Sequence, residues 1–218
     1  LGISYFILCA HCGAVSAAGV LVIIGVHELG HILAARLLGV HLHWPIFVPL
    51  VGAFVTGDRG GFRDPYKNAC IGIAGPLAGV AATLVLHCAA LRCGSEDLKD
   101  AVRFGYAAHL FNLIPAGMLD GGHIAEFVGG WLWVPGAVLL GWLVFQMRNA
   151  AWYTLVMLAM LMIPAVFRAG MVVLRWCGVH RKILPAGGTW GKRAAMLAAA
   201  LALVAVCAVG LFLLAGRR

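Results

Sequence analysis

Charge is what this chain has least of. Asp, Glu, Lys and Arg make up 11% of its 218 residues, against ~25% in ordinary soluble domains. So few charged groups cannot clothe a water-facing globule, which excludes a soluble domain and a disordered tail. Carboxylates are scarcest, at eight against sixteen Lys and Arg. The excess of positive charge does not mark a nucleic-acid binder, because the basic residues fall between apolar blocks, where they orient a chain in a bilayer. The seven cysteines are odd in number and irregularly spaced, which excludes a disulfide scaffold. Cys9 and Cys12 form a C-x-x-C pair, but no second pair follows at finger spacing. The cysteines are read as small apolar packing residues.

What is abundant is apolar sequence: 63% hydrophobic residues and a mean hydropathy of +0.97. The expectation is an all-α polytopic membrane protein of about six transmembrane helices, since each span takes ~20 apolar residues. A main helix is predicted over residues 15–39, with a short apolar segment before it. No basic segment precedes that block, so a secretory signal peptide is not expected. The ten-residue stretch Ile46 to Val55 is interrupted by Pro49 and Gly52. It is too short to cross as a helix and predicts a re-entrant or interfacial β-hairpin-like segment. Further spans are expected over 66–91, 101–119, 131–146, 150–167 and 194–215, with a basic stretch at 168–193 that is helical in part over 169–176. On this topology ten Lys and Arg fall on one side and six on the other. The richer side is taken as cytoplasmic. The whole of 1–218 is read as one integral membrane domain, with a core at about 14–124 and C-terminal helices at about 130–216.

The chemistry lies in His27-Glu28-Leu29-Gly30-His31. Positions i and i+4 share a helix face, so the two imidazoles can address one metal ion. Glu28 is displaced by ~100° around the helix, beside such an ion and free to handle the proton of a water. Two His and a Glu inside an apolar helix are costly and mark a site. Catalytic zinc takes a third protein ligand and keeps an open position. Asp120 is the other carboxylate deep in apolar sequence, and the third predicted span delivers it to the depth of His27 and His31. Its plainer alternative is a turn aspartate ahead of Gly121 and Gly122.

These strings together resemble a known family. H-E-L-G-H in a membrane helix, Gly75-Pro76-Leu77-Ala78-Gly79 in the next, and Asn112-Leu113-Ile114-Pro115 followed by Leu119-Asp120-Gly121-Gly122-His123 look like the site-2 protease family of intramembrane zinc metalloproteases. The likeness runs from about Val20 to Ile124, and the loops are too short for a PDZ-like insertion, as in the compact branch with bacterial and chloroplast-type members. The resemblance implies one zinc ion held by His27, His31 and Asp120, with Glu28 as catalytic acid/base. It implies a transmembrane or membrane-tethered protein substrate, a lipid bilayer around the chain, no nucleic-acid partner, and a bacterial-type inner membrane with the active site nearer the cytoplasm. Many members carry a full span before the H-E-x-x-H helix, where this sequence has residues 1–12.

Two more residues are candidates. Asn112 is read as a hydrogen-bond donor to substrate backbone or to a developing oxyanion, or else as a brace for the break at Pro115. His123 is a candidate support for Asp120. Gly75, Pro76 and Gly79 are read as permitting close helix packing. His41 and His43 are read as surface residues, and His11, His87, His109 and His180 as structural. The competing function is a divalent metal transporter using the same His/Asp cluster. It requires further ligands at several depths, and the spans after Asp120 hold almost none. A non-catalytic membrane protein on the same fold would show a broken motif, whereas all four residues are present.

Overall fold

The computed structural model describes residues 13–40, 46–48, 52–54, 64–146, 152–177 and 188–216. The segment with Cys9, His11 and Cys12, together with His41, His43 and His180, lies outside the described residues. Helix α1 is Ala14–Leu37. Strands β1 (Ile46–Val48) and β2 (Gly52–Phe54) follow and pair antiparallel, with Phe47 opposite Ala53. Helices α2 (Pro65–Cys93) and α3 (Glu96–Asn112) come next. The short helix α4 spans Asp120–Val128, and a 3-10 turn at Gly130–Leu132 leads into α5, Trp133–Gln146. Helices α6 (Trp152–Trp176) and α7 (Trp190–Ala215) complete the series.

Among the described residues three helices are long and apolar enough to cross a membrane: α1, α2 and α7. The apolar stretches Gly130–Gln146 and Met162–Leu174 are shorter. The expected span over 101–119 is not one helix. Helix α3 starts earlier, at Glu96, and stops at Asn112. Its first eight residues include Glu96, Asp97, Lys99, Asp100 and Arg103, so the apolar part left is far short of the ~20 residues a span needs. The sequence also divides what the structure joins, because α6 continues through Pro164 to Trp176.

Local chemistry sets the ends of these helices. Asp64 caps α2, accepting from the backbone N–H of Tyr66 at 2.9 Å, with Pro65 in the first turn, where a missing N–H costs nothing. Gly94, at φ 63°, ends α2 in the left-handed conformation that glycine adopts without strain. Ser95 then caps α3 through Leu98 N–H at 3.3 Å. The end of α1 is tied to the start of α2 by Lys67 Nζ, which donates to the Leu38 carbonyl at 2.9 Å. At the opposite end Ser16 Oγ donates to the Asp97 carbonyl at 2.6 Å.

Small residues bring α1, α2 and α3 together, as expected where lipid gives no hydrophobic drive between helices. Gly19 lies within α1, and a Cβ there would stand 2.7 Å from Ala101 Cβ. A Cβ on Gly30 would stand 2.8 Å from Ala78 Cβ. Helix α7 adds Met196, Leu203, Cys207 and Leu214 to a core with Val80, Val102, Tyr106 and Phe127. Helices α5 and α6 pack through Leu140 and Ala165 on Ile114, Ala116 and Leu119, the turn before Asp120.

Candidate metal centre

His27 and His31 lie one turn apart on α1, both buried. Their Nε2 atoms are 3.1 Å from each other. Asp120, the first residue of α4, reaches them from a different helix: Oδ2 is 3.2 Å from His27 Nε2 and Oδ1 is 3.3 Å from His31 Nε2. Four donors around zinc at ~2.0–2.1 Å stand about 3.3–3.4 Å apart along each tetrahedral edge. The three edges here are close to that value, so the donor set fits such an ion.

The hydrogen bonding of His31 points the same way. Its Nδ1 lies 2.8 Å from the Ile71 carbonyl, an acceptor only, so Nδ1 carries the proton. Nε2 is left with a free lone pair directed at the cluster, the arrangement seen when a backbone carbonyl fixes a metal-binding imidazole. Two lone-pair nitrogens and a carboxylate converge in a buried space, and a cation is what such a group lacks.

Glycines make room for this convergence. A Cβ at Gly75 would collide with the His31 ring, and one at Gly79 would stand 3.1 Å from His27 Cβ. On α2 these two residues form a flat wall behind both imidazoles. The start of α4 rests on the same helix, where a Cβ at Gly72 would lie 3.2 Å from the Asp120 carbonyl oxygen. The turn before Asp120 is equally tight. Gly117 has φ 58°, and a Cβ on Gly122 would come within 2.7 Å of its carbonyl oxygen. The Asp-Gly-Gly string therefore aims Asp120 by letting the preceding turn fold back over the start of α4.

The model described as Peptidase family M50 matches residues 15–106. Over that stretch the chain is similar to this family of peptidases. Curated proteins similar to this chain include the "Probable zinc metalloprotease EGY2, chloroplastic" of Arabidopsis thaliana, 31% identical over 151 residues, covering 50% of this chain and 27% of that protein. The proteins of the same description from Oryza sativa subsp. indica and subsp. japonica are each 32% identical over 151 residues, covering 50% of this chain and 28% of theirs. This chain thus spans little more than a quarter of the length of these relatives.

The other candidates take distinct places in the chain. Glu28 is buried beside His27 and interacts electrostatically with His27, His31 and Asp120. His123, half-buried, follows Asp120 by one turn, its Cβ 3.1 Å from where a Gly72 Cβ would stand. It feels the charges of Asp120, Glu126 and Arg168, and among the described residues it makes no hydrogen bond to Asp120. Asn112 ends α3, ahead of the turn at 113–119, and is not among the three clustered ligand residues.

Three contributors carry no motif in the sequence: His109, the Ile71 carbonyl and Thr83. The His109 ring stacks on His27, with centroids 5.3 Å apart and an interplanar angle of 11°. Only its position inside an apolar helix signalled it, as a histidine that needs a partner. The other two are visible only once α1, α2 and α3 are assembled.

Proposed function

We propose that this chain is the membrane-embedded core of an intramembrane zinc metalloprotease that hydrolyses peptide bonds within or near transmembrane segments of membrane proteins. In this reading His27, His31 and Asp120 hold one zinc ion and Glu28 is the catalytic acid/base. The observation that carries it is the trio of Nε2 and carboxylate atoms, drawn from two separate helices, at 3.1, 3.2 and 3.3 Å. The match of residues 15–106 to the Peptidase family M50 model supports it.

Bound zinc supplies two things: it lowers the pKa of water toward ~7 and polarises a carbonyl. The chain's own residues do the rest. Glu28 accepts a proton from water and delivers it to the leaving amine. Asp120 and the two imidazoles stay fixed, because Gly72, Gly75 and Gly79 seat them against one rigid helix. Burial keeps the Glu28 carboxylate away from competing solvent. A substrate helix shields its peptide bonds by its own hydrogen bonding, so it has to unwind locally. The β1–β2 segment fits the task of receiving the unwound stretch as an added strand, lying at the membrane surface or entering it. Asn112 is assigned to substrate backbone or oxyanion, and His123 to supporting Asp120.

The metal-transporter reading finds no second station. Among the described residues His27, His31 and Asp120 are the only group of three His, Cys, Asp or Glu placed to share an ion. The site lies at the end of the bundle where Arg36, Lys67, Lys192 and Arg193 gather, so it is assigned to the cytoplasmic side of a multi-pass membrane protein, in a bacterial-type inner membrane. The chain acts as a single unit, core 14–124 with helices 130–216 behind it. The test pairs zinc analysis of purified protein with cleavage of a single-span substrate. Zinc with cleavage supports the proposal, and tightly held zinc with no cleavage of any membrane substrate contradicts it.

A further inference from the structure

His27 and His31 are held differently. His31 has a carbonyl on Nδ1, whereas His27 Nδ1 is buried without a hydrogen-bond partner among the described residues. An imidazole that gives Nε2 to a metal carries its proton on Nδ1, and that proton ordinarily finds an acceptor. The group packed on His27 is the His109 ring of α3, 5.3 Å away and nearly parallel. His109 is 2% exposed, and its Nδ1 is likewise buried and without a partner.

The tautomer of His109 follows from its other nitrogen. Thr83 Oγ1 spends its one proton on the Gly79 carbonyl at 2.8 Å and stands 3.4 Å from His109 Nε2. The hydroxyl therefore offers a lone pair, and Nε2 is the protonated nitrogen. His109 Nδ1 is then an acceptor without a donor, on a ring stacked on that of His27, whose Nδ1 is a donor without an acceptor. Two unmatched buried groups of opposite kind on stacked rings are each costly, and one water that accepts from the first and donates to the second satisfies both. Gly79 keeps the place open, since a Cβ there would collide with the His109 ring.

We propose that His109 is a positioning residue of the metal centre: its stacked ring sets the plane of His27, and its Nδ1 answers the His27 Nδ1–H through one buried water. The inference rests on the zinc reading above. It gives His27, through a side chain of α3, the support that His31 takes from the backbone of α2.

The test compares wild type, His109→Phe and His109→Asn in detergent. It measures zinc release to a chromophoric chelator and the visible d–d spectrum after cobalt replacement. Phe keeps a flat ring and removes the acceptor; Asn places an acceptor where Nδ1 was. Phe is expected to speed zinc release about tenfold to a hundredfold and to shift the cobalt bands, and Asn to recover part of both. If Phe does not fold, as judged by monodispersity and melting, Thr83→Val takes its place. It leaves the rings untouched, removes the hydroxyl that faces His109 Nε2, and is expected to speed release as well. Wild-type release and an unchanged spectrum in His109→Phe would overturn the assignment, and so would equal losses in Phe and Asn, which would mean packing alone. Wild-type protein that retains no zinc would instead sink the metal reading itself.

Discussion

Replacing Gly75 by Ala adds one methyl group at the wall behind His31. The structure says what that methyl meets: it collides with the imidazole and lies 2.7 Å from Cδ2. Carbon atoms in ordinary contact stand ~3.5–4.0 Å apart. Either the ring or α2 therefore retreats by about 1 Å, whereas metal–ligand bonds tolerate about 0.2 Å. His31 is also bound to α2 through the Ile71 carbonyl, so a ring pushed away from Gly75 loses that bond too. The expected loss in zinc affinity is tenfold to a hundredfold, or about 1.4–2.7 kcal/mol, with ~1–3 kcal/mol of stability from overpacking. Gly25→Ala is the matched control, because nothing lies within 4 Å of a Cβ there. It is expected to be neutral or to stabilise α1 by up to ~1 kcal/mol. Competition with a chelator of known affinity measures zinc, and thermal melting in detergent measures stability. Gly75→Ala protein with wild-type zinc affinity would refute the claim that α2 seats His31.

Other substitutions separate the roles within the site. Glu28→Gln should keep zinc stoichiometry and lower cleavage of a single-span substrate by ~10²–10⁴-fold; loss of zinc instead would make Glu28 a ligand. Gly136→Val acts at a distance: a Cβ at Gly136 already collides with the Pro115 carbonyl, so the turn carrying Asp120 is displaced and zinc affinity falls while α1 is untouched. Lys67→Met removes the donor to the Leu38 carbonyl at 2.9 Å. The expected cost is ~0.5–1.5 kcal/mol of melting stability, with zinc affinity unchanged when both are measured on one preparation.

The long apolar helices and the H-E-L-G-H motif were readable because each signal is local. A run of apolar residues fixes α2 and α7, and a spacing of four puts His27 and His31 on one face. The turn signals were local too, and Asp64-Pro65 and Gly94 mark both ends of α2. What was not readable depends on assembly. Asp120 looks like the end of a span in the sequence but is the first residue of α4, because the turn at 113–119, with Pro115 and Gly117, ends α3 early. The continuity of α6 past Phe167 was hidden as well, since Arg168 opens a basic stretch that reads as the end of an apolar span. His109 was set aside as structural because no motif contains it. Its relation to His27 exists only where Gly79 lets α2 and α3 approach.

The most direct measurement is X-ray absorption at the zinc edge on purified wild-type, His31→Ala and Asp120→Ala protein. One zinc per wild-type chain is expected, with two imidazole nitrogens and a carboxylate oxygen at ~2.0–2.2 Å, and loss or rearrangement of that shell in both variants. A wild-type chain that binds no zinc, or zinc whose surroundings are unchanged when Asp120 is removed, would contradict it.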